Sequence, residues 1–452
     1  MRGVCTDFPR DVVLGEAFAQ LDAASILAGL KEQFDDVPPA ARNRWLQIVA
    51  VDAAYHPRRH LRLAFALLAD PRTPYERYWP EGELIHLHAP IRRPMSRRGR
   101  IIRLGPVPFE AYRFPEDRRL RGLRKFTSAE DASRQWQKWI DATGGGEINA
   151  ETLQRRFIRY VPEEKWIARL RAEVTMSGTR EPVKRRIAIR CCSQAACEKF
   201  VRRQAAVADA LAGSANARVP ELVGTKSSAG LVATAWDRGE PFLKAVCEDP
   251  SMVRGFADAL REFHSVRVAR LPHLALERVG QSTVAYAEDL AAACEDQVGE
   301  ILELGRTLAS ILAHAPPGPP VTLHNDLHLR QVLAKGGRFT FLDLERMSVG
   351  DAMIDLGNLL AQLSILPHRS EEGVDPILAN SLRAALLASW SDSGRAIQES
   401  KLAALTAAAW IKLAHGGMRH LRPGWREQVR TCLEMAHKEL TIQSGPSGAL
   451  RC

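Results

Sequence analysis

The stretch His324-Asn325-Asp326-Leu327-His328-Leu329-Arg330-Gln331-Val332-Leu333, followed by Phe339-Thr340-Phe341-Leu342-Asp343-Leu344-Glu345, carries the strongest signal in the sequence. Two short β-favouring runs flank Lys335-Gly336-Gly337. Glycine pairs of this kind close tight hairpins, so the spacing predicts a turn that returns Asp343 to the neighbourhood of Gln331 and Asp326. Two carboxylates and an amide would then converge.

Oxygen ligands in that number suit magnesium, which takes one or two carboxylates together with phosphate oxygens and retained water. Phosphoryl transfer uses such a set. The transferred group is already highly charged, so the protein's task is to neutralise and align it while one carboxylate orients the acceptor hydroxyl.

In three ordered blocks the sequence resembles the aminoglycoside-phosphotransferase and choline-kinase-like small-molecule kinases, distant relatives of protein kinases. Their catalytic loop reads roughly His-Gly-Asp-x-His-x-x-Asn, followed by hydrophobic-Asp-x-Asp/Glu and then Gly-Asp-x-x-x-Asp-Leu. This chain has His324-Asn325-Asp326-Leu327-His328 with Gln331 at the Asn place, then Leu342-Asp343-Leu344-Glu345, then Gly350-Asp351-Ala352-Met353-Ile354-Asp355-Leu356. A lone short motif is weak, but the ordered combination is specific.

The resemblance covers about Arg155 to His437 and implies ATP and Mg2+ as cofactors. By it, Asp326 is the catalytic base or hydroxyl-orienting residue, with His328 beside it in the catalytic loop. Asp343 is the main metal ligand, Gln331 a second one, and Glu345 a further candidate in the same segment. Asp355 would brace the loop, with His324 as structural support. The plainer reading of both histidines is a hydrogen-bonding role, because neither is needed as proton acceptor when Asp326 is present.

The nucleotide-binding half departs further from the family. Where the family has a strand lysine, this chain offers Arg190 in Ile187-Ala188-Ile189-Arg190, and near the place of its helix glutamate stands Gln204, with Glu198 as the alternative. Arg clamps phosphate bidentately and is not a neutral replacement for the point charge of lysine. The phosphate-covering turn is Pro162-Glu163-Glu164-Lys165, in which Lys165 is a phosphate contact or simply solvated. The run Leu231–Trp236 and the following Asp237-Arg238-Gly239-Glu240-Pro241 fit a strand and hinge whose backbone would bond adenine; apolar packing alone would explain it equally well.

The fold expected on this basis is α+β: a bilobal protein-kinase-like fold, with a small antiparallel-sheet lobe over 150–236 and a mainly helical lobe over 237–452. A separate mixed α/β amino-terminal domain, residues 1–145, would precede it. Gly144-Gly145-Gly146 reads as a linker at that boundary. From Val12 to about Leu68 apolar residues recur at helical spacing, whereas Glu83 to Phe114 reads as short strands and turns. Ser128 to Ile140 reads as a helix capped by Ser128.

Only twelve residues lead from Asp343 to Asp355, which leaves no room for a long peptide-holding segment and favours a small-molecule acceptor. Helices over Pro376–Ser391, Lys401–His415 and Trp425–Leu440 would wall it. Trp390, Trp410 and Trp425 could stack on a sugar, although aromatic residues at helical spacing are more often core. The three departures, at 190, 204 and 331, keep a pseudokinase or scaffold open as the rival function. A kinase for a macromolecular acceptor is the other.

Composition is that of an ordinary globular protein, 46% apolar and 26% charged over 452 residues. No apolar run reaches the roughly 18 residues of a membrane span, and the amino terminus lacks a signal-peptide core, so a cytoplasmic location is expected. The eight cysteines have no metal-ligand spacing and read as free, mostly buried thiols. The net charge of +10 is concentrated: Ile91–Lys125 carries twelve Arg or Lys against Glu110, Glu116 and Asp117. That segment is either a solvated face or a surface for an anionic or protein partner. Nucleic acid is disfavoured, since no aromatic-interleaved RNA motif or zinc finger accompanies the charge.

Overall fold

The computed structural model describes residues 23–34, 37, 39–43, 45–68, 84–89, 99–104, 107–126, 128–369, 373–392, 394 and 396–441. It is α+β, and it divides into two compact units. The first comprises the described residues of Met1–Val201, Leu222–Trp236 and Gly417–Trp425; the second comprises those of Arg202–Glu221, Asp237–Gly416 and Arg426–Cys452.

The first unit holds two antiparallel five-stranded sheets. One is built, in spatial order, from Gln47–His56, His60–Leu68, Leu84–Ala89, Val107–Arg113 and Arg100–Leu104. The strands after Glu83 are as expected, but the hairpin over 47–68 corrects the helical reading, which holds only for Ala23–Gln33 and the short turn Pro39–Arg42. His60–Leu68 is buried on both faces, giving a nearly continuous apolar run in which helical and strand periods cannot be told apart. Residues 12–22 lie outside the described residues.

The second sheet runs Leu222–Lys226, Leu231–Ala235, Val183–Cys192, Lys165–Met176 and Gly146–Val161. Gly146–Val161, Lys165–Met176 and Val183–Cys192 pair in turn as an antiparallel meander, in line with the antiparallel sheet expected for this part of the chain. The helix Ala129–Ala142 is capped as its sequence predicts: the Ser128 hydroxyl accepts from the Asp131 amide at 3.0 Å. The Asp131 carboxylate, one methylene shorter than Glu, bonds the Ser128 hydroxyl instead of closing a full capping box.

In place of an open linker, the three glycines form a tight turn. Gly145 N–H donates to Ile140 O at 3.0 Å, and Gly146 opens a strand at φ 149°, where a Cβ would meet Thr175 O at 2.8 Å. Residue 145 thus falls inside the first unit. There Phe126, Trp136 and Trp139 share one apolar cluster with Leu68 and Leu84 of the first sheet and Trp166, Ile187 and Leu231 of the second. The Trp139 ring lies so close to the backbone of Gly224 that a Cβ there would come within 2.2 Å of it, and its Nε1 donates to Thr225 O. Each such buried aromatic contributes on the order of 2–3 kcal/mol.

Part of the basic segment is engaged internally. Arg100 lies over the Phe34 ring at 4.8 Å and Arg124 pairs with Glu116 at 2.6 Å, while Arg92, Arg93, Arg97 and Arg98 lie outside the described residues.

The second unit is mainly helical. The expected carboxy-terminal helices are found as Pro376–Asp392, Glu399–Arg419 and Trp425–Thr441, although residues 417–425 are grouped with the first unit. Trp390 and Trp410 are core residues, 3% and 0% exposed, and Trp425 is likewise buried, so none offers a stacking face. The hairpin around Gly336-Gly337 forms from Val332–Lys335 and Arg338–Phe341, with Val332 opposite Phe341. The described cysteines are free thiols, all but Cys247 buried. No helix among the described residues is long and apolar enough to cross a membrane.

Candidate active site

The hairpin does what its spacing predicts: Leu342 N–H donates to Gln331 O at 2.8 Å, which sets Asp343 beside Gln331. The loop 324–326 is then latched to the returning segment. The His324 ring Nε2 bonds Leu342 O at 2.7 Å, the Asn325 side-chain amide donates to Arg346 O at 3.3 Å, and Arg346 Nε approaches the Asp326 carboxylate at 3.8 Å.

Two residues here adopt the left-handed region, Asn325 at φ 62° and Asp343 at φ 59°. That region is open to glycine and tolerated by Asn and Asp, whose short polar side chains bond locally. Asn325 stands where the resembling family has glycine. The substitution therefore keeps the turn.

Asp355, fully buried, ties the loop down from below. Its Oδ2 accepts from His324 N–H and its Oδ1 from Asn325 N–H, both at 2.8 Å, and the buried His264 Nε2 lies 3.1 Å from Oδ2. Burial is the largest influence on this carboxyl and favours its neutral form, but the His264 and His324 contacts outweigh it and hold the pKa below the ordinary value.

Asp326 is held differently, by side chains. Lys412 Nζ sits 3.0 Å from its Oδ1. Burial again is the largest influence and opposes ionisation; Lys412, Arg346 and His328 outweigh it, so Asp326 too stays below its usual range. His328 is pushed down to about 4, chiefly by burial, and is neutral at physiological pH.

Gln331 Oε1 is buried and has no protein hydrogen-bond partner among the described residues. A buried amide oxygen in that condition calls for a water or an ion. Beside it the segment carries the carboxylates of Asp343 and Glu345. Among the described residues no three His, Cys, Asp or Glu side chains form a preassembled metal cage. Magnesium does not require one, because phosphate oxygens and water complete its shell, and the donor set of one or two carboxylates with an amide oxygen fits it.

The remaining candidates divide between the units. Arg190 and Lys165 belong to the first: Arg190 lies over the Phe200 ring at 4.7 Å, and Lys165 begins the strand Lys165–Met176 opposite Cys192. Glu198 accepts from Gln194 at 2.8 Å. Gln204, in the second unit, is buried with its amide donated to Pro220 O. Sequence reasoning missed Lys412, Arg346 and His264. Lys412 lies inside a helix expected from the sequence, but nothing local marks it as the partner of a carboxylate 86 residues earlier.

A family model described as "phosphotransferase enzyme family" matches residues 147–396, more than half of the chain. The chain belongs to this family of phosphotransferases. Among solved structures it is similar to a choline kinase from Cryptosporidium parvum Iowa II (15% identity, TM-score 0.47, covering 70% of this chain and 97% of that one). It is also similar to a choline/ethanolamine kinase family protein from Mesorhizobium loti (14%, 0.45, 69% and 95%) and a macrolide 2'-phosphotransferase from Brachybacterium faecium (15%, 0.43, 66% and 98%). No curated protein matches the chain.

Proposed function

We propose that this phosphotransferase uses ATP with magnesium to phosphorylate a hydroxyl of a small molecule. The observation that carries the reading is the latch between the 324–326 loop and the 342–346 segment. It brings the ionised Asp326 next to the chain that bears Asp343, above the buried Asp355 anchor.

In this reading Asp326 accepts a hydrogen bond from the acceptor hydroxyl, aligns its lone pair on the γ-phosphorus and takes the proton as the new O–P bond forms. The bridging O–P bond to the β-phosphate breaks and its electron pair leaves with ADP. Asp343, Gln331 and Glu345 would hold magnesium, which neutralises charge on the phosphates when bound. Arg190 and Lys165 are the proposed phosphate-binding residues, with Gln204 a positioning residue acting through the Pro220 carbonyl it holds. His328 and His324 keep the loop in register. Residues 150–236 would serve as the nucleotide-binding small lobe, 237–452 as the catalytic lobe and 1–145 as an accessory region.

The intact protein should bind ATP in calorimetric titration only when magnesium is present, and Asp343→Ala should abolish that binding while the protein stays folded. Unchanged magnesium-dependent affinity in Asp343→Ala would overturn the metal assignment. Complete absence of nucleotide binding in the wild type would favour the scaffold reading, for which the engagement of Asp326 by Lys412 and Arg346 is the supporting observation.

A further inference from the structure

Within the helical unit a pocket of about 120 Å³ opens against the residues that hold Asp326. Its polar lining is Ser282 and Tyr286 from the helix Leu276–Ala291, Asn358 from Met353–Ser364, Asn325 of the loop, and two cations, Arg346 and Lys412. Thr283 also lines it, its hydroxyl donated to Val279 O at 3.0 Å, and the rest is aliphatic, half of it from the helix Glu399–Arg419. No Asp or Glu lines it.

That lining is the wrong chemistry for an amine. Binding a cation takes a carboxylate or an aromatic cage, whereas the carboxylate next to this pocket, Asp326, already faces two cations and its one aromatic ring, Tyr286, is stacked on His415 at 4.6 Å. The carboxylate one layer behind, Asp289, is paired with His415 at 3.1 Å. Two cations share the single Asp326 carboxylate, which leaves one positive charge in excess at the pocket wall. The volume also falls well below the several hundred Å³ of a typical ligand site, which suits a compact acceptor.

We propose that this pocket takes the acceptor, and that the acceptor is a small hydroxylated anion. Its carboxylate or phosphate sits on Lys412 and Arg346 and its hydroxyl meets Asp326. The proposal rests on the phosphotransferase reading above and narrows it. The partly exposed pairs between Asp326 and the two cations are cheap to separate, their side chains being 32%, 27% and 50% exposed. An anion arriving at Lys412 and Arg346 competes for them and frees the Asp326 carboxylate for the hydroxyl; a neutral or cationic alcohol leaves it engaged.

The test titrates the intact protein with four matched probes, glycerol, glycerate, glycerol 3-phosphate and ethanolamine, and separately with ATP and magnesium. Glycerate or glycerol 3-phosphate should bind about tenfold or more tightly than the other two, a charge-assisted contact's worth, and the better of them tells carboxylate from phosphate. Lys412→Gln should erase that preference. Asn358→Asp, which adds a carboxylate to the lining without touching the Asp326 pairs, should shift it toward ethanolamine. Equal binding of all four probes, or tighter binding of ethanolamine by the wild type, overturns the proposal even if ATP binds. An anion preference in a protein that binds no ATP instead overturns the phosphotransferase reading on which it rests.

Discussion

Asp326 and Asp355 are both carboxylates kept ionised in the same unit, 29 positions apart, yet the two regions hold them by opposite means. Asp355 is fully enclosed and its partners are two backbone amides and a buried imidazole. Asp326 is about one-third exposed and its partners are the ends of two long, partly exposed side chains. A charge fixed by backbone donors serves architecture, because releasing it leaves buried donors unsatisfied. One held by lysine and arginine tips can be handed to a substrate at little cost.

The sharpest test of the contrast is Asp355→Ala. It removes the carboxylate that two buried amide donors and His264 share, so denaturant unfolding should show a loss of about 3–5 kcal/mol. A loss below about 1 kcal/mol would break the comparison. Next comes Asp326→Asn, which should lower turnover by a factor on the order of 10² or more while the unfolding midpoint hardly moves. If the melting point falls as far as in Asp355→Ala, Asp326 is an architectural residue after all.

The smallest effect is the acid dependence. Because the folded pKa of Asp355 lies below its ordinary value of 3.8, its contribution to stability is complete above that value and fades as pH falls through the folded pKa. Asp355→Asn should therefore flatten the fall in unfolding free energy below about pH 4, where one proton's linkage is at most about 1.4 kcal/mol per pH unit. An acid limb identical to that of the wild type would show that other carboxylates dominate it.

Local chemistry made part of this site legible. The Gly336-Gly337 turn and its flanking β-runs announce a hairpin, and the hairpin alone brings the Asp343 segment back to Gln331. Asn325 was not among the three departures singled out in the sequence, and its left-handed φ explains why a short polar residue serves in that turn. What stayed hidden is long-range. Lys412 reaches Asp326 across 86 positions and His264 reaches Asp355 across 91; a helix pattern shows that such residues lie on a face but not what the face meets. The strand His60–Leu68 was misread for a related reason, since burial on both faces removes the alternation that distinguishes a strand. Likewise Trp390, Trp410 and Trp425, candidates for sugar stacking in the sequence, are buried in the core, the commoner place for aromatic residues at helical spacing.

The turn at Gly144–Gly146 bears on how shortened versions of the protein should be cut. A fragment trimmed to the matched residues 147–396 begins just after it and so discards Phe126, Trp136 and Trp139, which share a cluster with Trp166. Its far end stops before Lys401, whose ammonium sits 2.6 Å from the buried Asp351 carboxylate, and before Lys412 as well. Such a fragment would expose a greasy sheet face at one end and leave an unpaired acid in its interior at the other. Screening and crystallisation efforts are thus better served by the whole chain than by its recognisable part.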